Sequence, residues 1–125
     1  FLTMNVSDIE QILHSLNDES EDIQLSMVVS SDGLPLAYNG QSNDFDEAGA
    51  LYIELKLICE KVLAGLQIGQ LEHVFVHAQR GCVDILPIDN VGVLACMTRP
   101  GMSTRKLQLY AWRAASGLRK IMSDI

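Results

Sequence analysis

From Asp44 to Leu66 the sequence runs through about six helical turns without a proline, and apolar residues ring the helix they would form. Asp44 or Asp46 supplies the cap, because a short acidic side chain accepts a hydrogen bond from the free N–H groups of a first turn. At about 100° per residue, Ala48, Leu51, Tyr52, Leu55, Ile58, Cys59, Val62, Leu63 and Leu66 share one broad face. Ala50, Ile53, Leu57 and Ala64 fall nearly opposite, with Glu60 and Lys61 beside them. A helix lying on a sheet needs one apolar face. The broad face is therefore expected on the sheet, and the second stripe is expected to meet another surface.

The flanking sequence supplies that sheet. Ser7, Asp8 and Glu10 read as a capping box for a first helix, with Ile9, Ile12, Leu13 and Leu16 on one face. Ile23 to Ser30 is rich in Val and Ile and reads as a strand; Ser31-Asp32-Gly33 is a turn, and Leu34 to Tyr38 a short second strand. Pro35 has no N–H to donate, which places the second strand at a sheet edge. After Gly69 follow Leu71 to Ala78, a turn at Gln79-Arg80-Gly81, Cys82 to Ile88, a tight turn at Asp89-Asn90, and Val91 to Thr98. Ser103 or Thr104 caps a last helix to about Met122, whose stripe of Leu107, Tyr110, Ala111, Ala114, Leu118 and Ile121 faces inward. The order is αββαβββα in one domain. The third strand contains neither Pro nor Lys, so at an edge nothing in it would oppose pairing with another strand.

Charge narrows the partners. Residues 1–60 hold 12 acids and one base, residues 61–125 hold 4 acids and 8 bases, and the net charge is −7. A net acidic chain lacks the clustered cations that phosphate neutralisation needs, so no nucleic acid is expected. The basic residues of the last helix, Arg105, Lys106, Arg113, Arg119 and Lys120, read as a solvated face or a contact for acidic groups. No apolar run approaches the ~20 residues of a membrane span, and Phe1 to Asn5 lacks the regions of a signal peptide, Met4 being a plausible natural start. No membrane insertion and a cytoplasmic location are expected. Cys59, Cys82 and Cys96 sit in apolar segments without CxxC spacing and read as buried thiols.

Catalytic signatures are missing. There is no GxxxxGK followed by Ser or Thr, no GxGxxG after a strand and no GxSxG. His73 and His77 share a strand face but stand about 13 Å apart, too far for one metal ion, and read as surface or partner-facing imidazoles. His14 reads as solvated. Asp84 lies in a strand and Asp89 in a turn, which gives no acid–base pair. No catalytic residue, metal or cofactor is expected, and the chain is not read as an enzyme.

Several segments together resemble the Roadblock/dynein light-chain domain family. They are Val28-Val29-Ser30-Ser31-Asp32-Gly33-Leu34-Pro35-Leu36; the long helix ending near Gly69 and running into Leu71-Glu72-His73-Val74-Phe75-Val76; the meander from Val83 to Ile88 and Val91 to Met97; and a closing helix rich in Arg and Ala. The likeness spans about Ile9 to Met122, and residues 1–125 are taken as a single such domain. It implies an α+β, profilin-like fold: a five-stranded antiparallel sheet, the second helix on one face, the first and third on the other, and the third and second strands at the edges. It also implies a homodimer through the second helix and third strand, and a small Ras-like GTPase as partner of the bacterial members. On that basis the dimer interface is expected to use Ala50, Ile53, Leu57, Ala64, His73, Phe75 and His77. Glu54, Glu60 and Lys61 are expected to flank it and meet the partner. Arg80 and Arg99 are loop arginines available as fingers, though no family pattern assigns either that role. The competing expectations are a small-molecule sensor and a scaffold with no GTPase partner.

Overall fold

The computed structural model describes residues 6–42 and 44–122. Its elements are α1 (Val6–Asp18), β1 (Ile23–Ser30), β2 (Pro35–Gly40), α2 (Phe45–Leu66), β3 (Val74–Ala78), β4 (Gly81–Ile88), β5 (Gly92–Thr98) and α3 (Thr104–Met122). The expectations about Phe1 to Asn5 and Met4 lie outside the described residues. All five strands form one antiparallel sheet in the order β2-β1-β5-β4-β3, which puts β2 and β3 at its edges.

Strand alternation divides the core in two. Met27, Ala95 and Ile85 stand opposite one another across β1, β5 and β4 and turn to the α2 side, joined there by Val29, Val93 and Ile53. Val28, Leu94 and Leu86 form the next row and turn to the other side, beneath Ile9, Leu13 and Leu16 of α1 and Leu107, Ala111 and Leu118 of α3. Because both faces of β1 are covered, its residues are buried without a break from Leu25 to Val29, the polar Ser26 included.

Local signals set the ends of the helices. Asp44 Oδ1 accepts from the Glu47 N–H at 3.0 Å, and Ser103 Oγ from the Lys106 N–H at 3.3 Å. Gln67 takes the left-handed conformation at φ 55° and turns its N–H back to the Ala64 carbonyl, closing α2. Two starts differ from expectation. α1 already begins at Val6, so Ser7 lies within its first turn rather than before it. β3 begins at Val74, so Leu71, Glu72 and His73 precede the strand.

The largest correction concerns α2. Ile53, expected on the stripe facing away from the sheet, is only 7% exposed and packs into the core under the helix. Ala48, Tyr52 and Leu55 lie against that core as expected, but Leu51, Ile58, Val62 and Leu66 do not; they are exposed. The helix docks through Gly49 and Ile53, with Phe45, Ala48, Tyr52 and Leu55 packed alongside. A Cβ on Gly49 would stand 3.1 Å from the Gly33 carbonyl oxygen and 3.3 Å from both Pro35 Cγ and Val29 Cγ1. The missing side chain lets the α2 backbone approach the β1–β2 hairpin and turns Ile53 inward.

Candidate protein-interaction surface

Once Ile53 is placed beneath the helix, the outer side of α2 is largely apolar. Leu51, Ile58, Val62 and Leu66 are each more than half exposed and occupy about 80° of the helix circumference. Leu51 and Ile58 are seven residues apart, and Val62 and Leu66 follow in steps of four, the spacing of a seam between helices. Isolated exposed apolar residues are ordinary, but an aligned row is the mark of an interaction surface. Leu57, also exposed, sits about 100° from Ile58 on another side of the helix. Ala50 lies on that side against the β1–β2 hairpin, where a Cβ on Gly33 would be 3.4 Å from Ala50 Cα.

β3 is the second part of the surface. It pairs with β4 on one side only, and Val76, His77 and Ala78 are exposed. Neither Pro nor Lys interrupts it. The opposite edge differs. β2 begins at Pro35, Tyr38 stacks on Phe45 with ring centroids 3.7 Å apart, and the Asn17 side-chain amide donates to the Asn39 carbonyl at 3.2 Å.

The other residues singled out in the sequence are dispersed. Glu54, Lys61 and Ala64 are exposed on α2, while Glu60 is half-buried and pairs with Lys56 at 3.5 Å. Phe75 is half-buried against the core under α1 and α3. Of the helix α3 cations, Arg113 reaches Glu19 at 3.5 Å, and Arg119 reaches Asp89 at 3.6 Å and donates to the Pro87 carbonyl. Arg113 thereby meets the acidic N-terminal half. His14 is exposed and pairs with Asp18 at 3.2 Å. Cys82 and Cys96 are buried and Cys59 half-buried.

Sequence reasoning missed a polar pair. His73 Nδ1 and Asp84 Oδ1 are 2.8 Å apart, and Asp84 is fully buried on the α3 side of β4. Burial pushes the Asp84 carboxyl above its ordinary pKa, and the His73 hydrogen bond pulls against that. Cys96 is the cross-strand neighbour of Asp84; complete burial pushes its thiol well up, and the Asp84 charge adds to the shift. Asp84 Oδ2 has no hydrogen-bond partner among the described residues. The pair borders a cleft of about 310 Å³ between the start of β3 and α3. The available signal was a carboxylate inside an otherwise apolar strand, but its partner stands eleven residues away, outside the strand ladder.

No protein-family model matches the sequence, and no curated protein matches it by sequence. Solved structures do match its fold. MglB from Myxococcus xanthus superposes with a TM-score of 0.90 at 13% identity, over 99% of this chain and 94% of that one. A Roadblock/LC7 domain from Streptomyces avermitilis gives 0.82 at 17% identity, over 91% and 97%. LokiProfilin1, solved with rabbit actin, gives 0.63 at 19% identity, over 96% and 100%. The class is thereby defined: an α+β domain with the Roadblock/LC7 fold, of profilin-like topology. Within that class, the chain reproduces the MglB fold over nearly the whole length of both chains. No helix among the described residues is long and apolar enough to cross a membrane.

Proposed function

We propose that this protein is a cytoplasmic, homodimeric Roadblock-type interaction module that binds and regulates a small Ras-like GTPase. The observation that carries the reading is the exposed apolar row on α2, present in a chain whose unpaired edge strand β3 also offers main-chain hydrogen bonds. The family resemblance of the sequence implies that these two elements pair across a two-fold axis, and the fold is consistent with it. Two β3 strands would then continue one sheet, and the rows on two α2 helices would cover each other. The dimer seam favoured by the exposed side chains runs through Leu51, Ile58, Val62 and Leu66. Glu54 and Lys61 would flank it and remain free for a partner.

The GTPase follows from the same resemblance, and its regulation would act by holding the partner's own catalytic residues in place. The protein itself would perform no covalent chemistry. The test is a calorimetric titration of the purified dimer with the small GTPase encoded nearest to it, loaded with GDP or with a non-hydrolysable GTP analogue. Saturable binding that depends on the nucleotide supports the proposal. Absence of binding in both nucleotide states, for that GTPase and the other Ras-like GTPases of the same genome, would refute it.

A further inference from the structure

Helix α3 carries Arg105, Lys106, Arg113, Arg119 and Lys120 without a single Asp or Glu between Thr104 and Met122. Two of its large apolar residues stay outside the core: Leu109 is 52% exposed and Trp112 67%. At about 100° per residue, Arg105, Leu109, Trp112 and Ser116 fall within about 60° of one another, a single line along the outside of the helix. Lys106 and Arg113 follow on one flank of that line. On the other flank a cleft of about 310 Å³ opens beside Leu109 and Trp112, with the exposed Glu72 on its border.

A scattered apolar residue on a surface is ordinary. A tryptophan one turn from a leucine is different, because aromatic side chains of this size carry much of the binding energy where proteins meet. The cations around the pair are available as well. Neither the Arg105 nor the Lys106 side chain makes an ion pair or hydrogen bond among the described residues. Arg113 meets Glu19 at 3.5 Å with both side chains exposed, and such a pair holds weakly. The face therefore calls for an apolar partner that brings carboxylates.

Shape selects among the acidic candidates. A broad anionic surface, a bilayer or a nucleic acid, would also meet α1, which packs beside α3 and exposes Asp8, Glu10 and Asp18. A single helix, about 10 Å across, can lie along α3 alone. The α1 helix of a second copy does not fit, because its exposed residues are polar apart from Val6.

We propose that the outer face of α3 docks an acidic amphipathic helix of a partner protein. Its apolar stripe lies on Leu109 and Trp112, and its carboxylates meet Arg105, Lys106 and Arg113. Glu72 sets the orientation by repulsion, turning the acidic flank of the partner toward Lys106 and Arg113. The surface lies on the sheet face opposite α2 and uses neither the exposed row of α2 nor any GTPase contact, so it stands independently of the function proposed above.

Trp112 is the one tryptophan of the chain, so its fluorescence reports on this face alone. The probe is a synthetic amphipathic helix of about 18 residues, with leucines on one stripe and glutamates along one flank. One counterpart has lysine for every glutamate, and another has the same residues in scrambled order. On the full chain, the glutamate peptide should move the Trp112 emission to the blue and saturate with a Kd of about 1–100 μM. Both counterparts should bind at least about tenfold more weakly. Arg105→Glu combined with Lys106→Glu, at two exposed positions, should leave the melting temperature unchanged, weaken the glutamate peptide by about tenfold or more and strengthen the lysine peptide. The proposal is overturned if the glutamate peptide leaves the emission unmoved up to about 1 mM. It is equally overturned if either counterpart matches the glutamate peptide, or if the double variant binds it as the wild type does. Phosphatidylserine vesicles that move the emission where the peptide does not would assign the face to a membrane. Emission that moves to the blue with protein concentration alone, at a mass above that of a dimer, would assign it to a further copy of the chain. Either result refutes the helix partner.

Discussion

Two long helices cover opposite faces of one sheet, and the more apolar of them is the less buried. α3 places Leu107, Ala111, Ala114, Ala115, Leu118 and Met122 in the core and turns Arg105, Lys106 and Arg113 outward. It is an amphipathic surface helix whose composition matches what one sheet face can take. α2 is richer in apolar residues, yet only Gly49 and Ile53 are buried, and from Leu57 to Leu66 no residue is. Most of the apolar content of α3 is taken up by its own core, with Leu109 and Trp112 left exposed. That of α2 exceeds what the sheet receives, and all of the excess large side chains but Leu57 lie in one row. The comparison separates residues that hold the monomer together from residues that the monomer leaves available.

Substitutions on the two helices should therefore have opposite signatures. Leu118→Ala removes a fully buried α3 side chain and should cost about 2–5 kcal/mol in a denaturant melt. A loss near zero would mean that the α3 core is looser than its burial indicates. Ile58→Arg should change the stability of the monomer by only about 0.5 kcal/mol. It should nevertheless abolish dimerisation, because the two-fold axis would bring the new charge into the seam twice. Leu57→Arg, on the other side of the same helix, sharpens the contrast. If the seam runs through Ile58, this variant stays dimeric in light scattering; if Leu57→Arg alone splits the dimer, the seam runs along the Ala50–Leu57–Ala64 side.

The pH dependence of stability offers a smaller effect on the α3 side of the sheet. Burial raises the Asp84 pKa, so the fold favours the protonated carboxyl. Its contribution is most favourable at low pH and declines as pH rises from the ordinary Asp range, near ~3.9, through the raised value. Asp84→Asn should remove that decline and raise neutral-pH stability by about 1 kcal/mol, measured as melts across the pH range. A steeper pH dependence in the variant would contradict this. Smallest of all, Glu54→Lys and Lys61→Glu should leave both the melt and the dimer unchanged, within about 0.5 kcal/mol. They should slow capture of the GTPase in binding kinetics, because charges at a rim act chiefly on encounter.

What could be read in the sequence follows from the range of the signals. β1 over Ile23–Ser30 and the turn at Gly33 are specified by nearby residues and stand where expected, and of the two candidates for each cap the structure uses Asp44 rather than Asp46 and Ser103 rather than Thr104. The order of elements and the edge placement of β2 and β3 also agree. The orientation of α2 was not legible, because apolar residues surround the helix and a period of 3.6 then has no single best face. The deciding contact is the approach of Gly49 to Gly33, Pro35 and Val29, which only the folded hairpin creates. The pairing of His73 with Asp84 was hidden for a similar reason. It depends on the β3–β4 register, which sets Phe75 opposite Asp84, and on a residue just outside the ladder. Leu51, Ile58, Val62 and Leu66 were legible as a row, but not as an exposed one.

The central claim is that the apolar row of α2 and the bare edge of β3 belong to an interface between two copies of this chain. Light scattering at tens of micromolar, on the wild type and on Ile58→Arg, measures it directly. The account predicts about twice the 13.8 kDa chain mass for the wild type and a single chain mass for the variant, with matching secondary structure. A wild type that scatters as a single 13.8 kDa chain would contradict it, and so would an Ile58→Arg variant that remains dimeric.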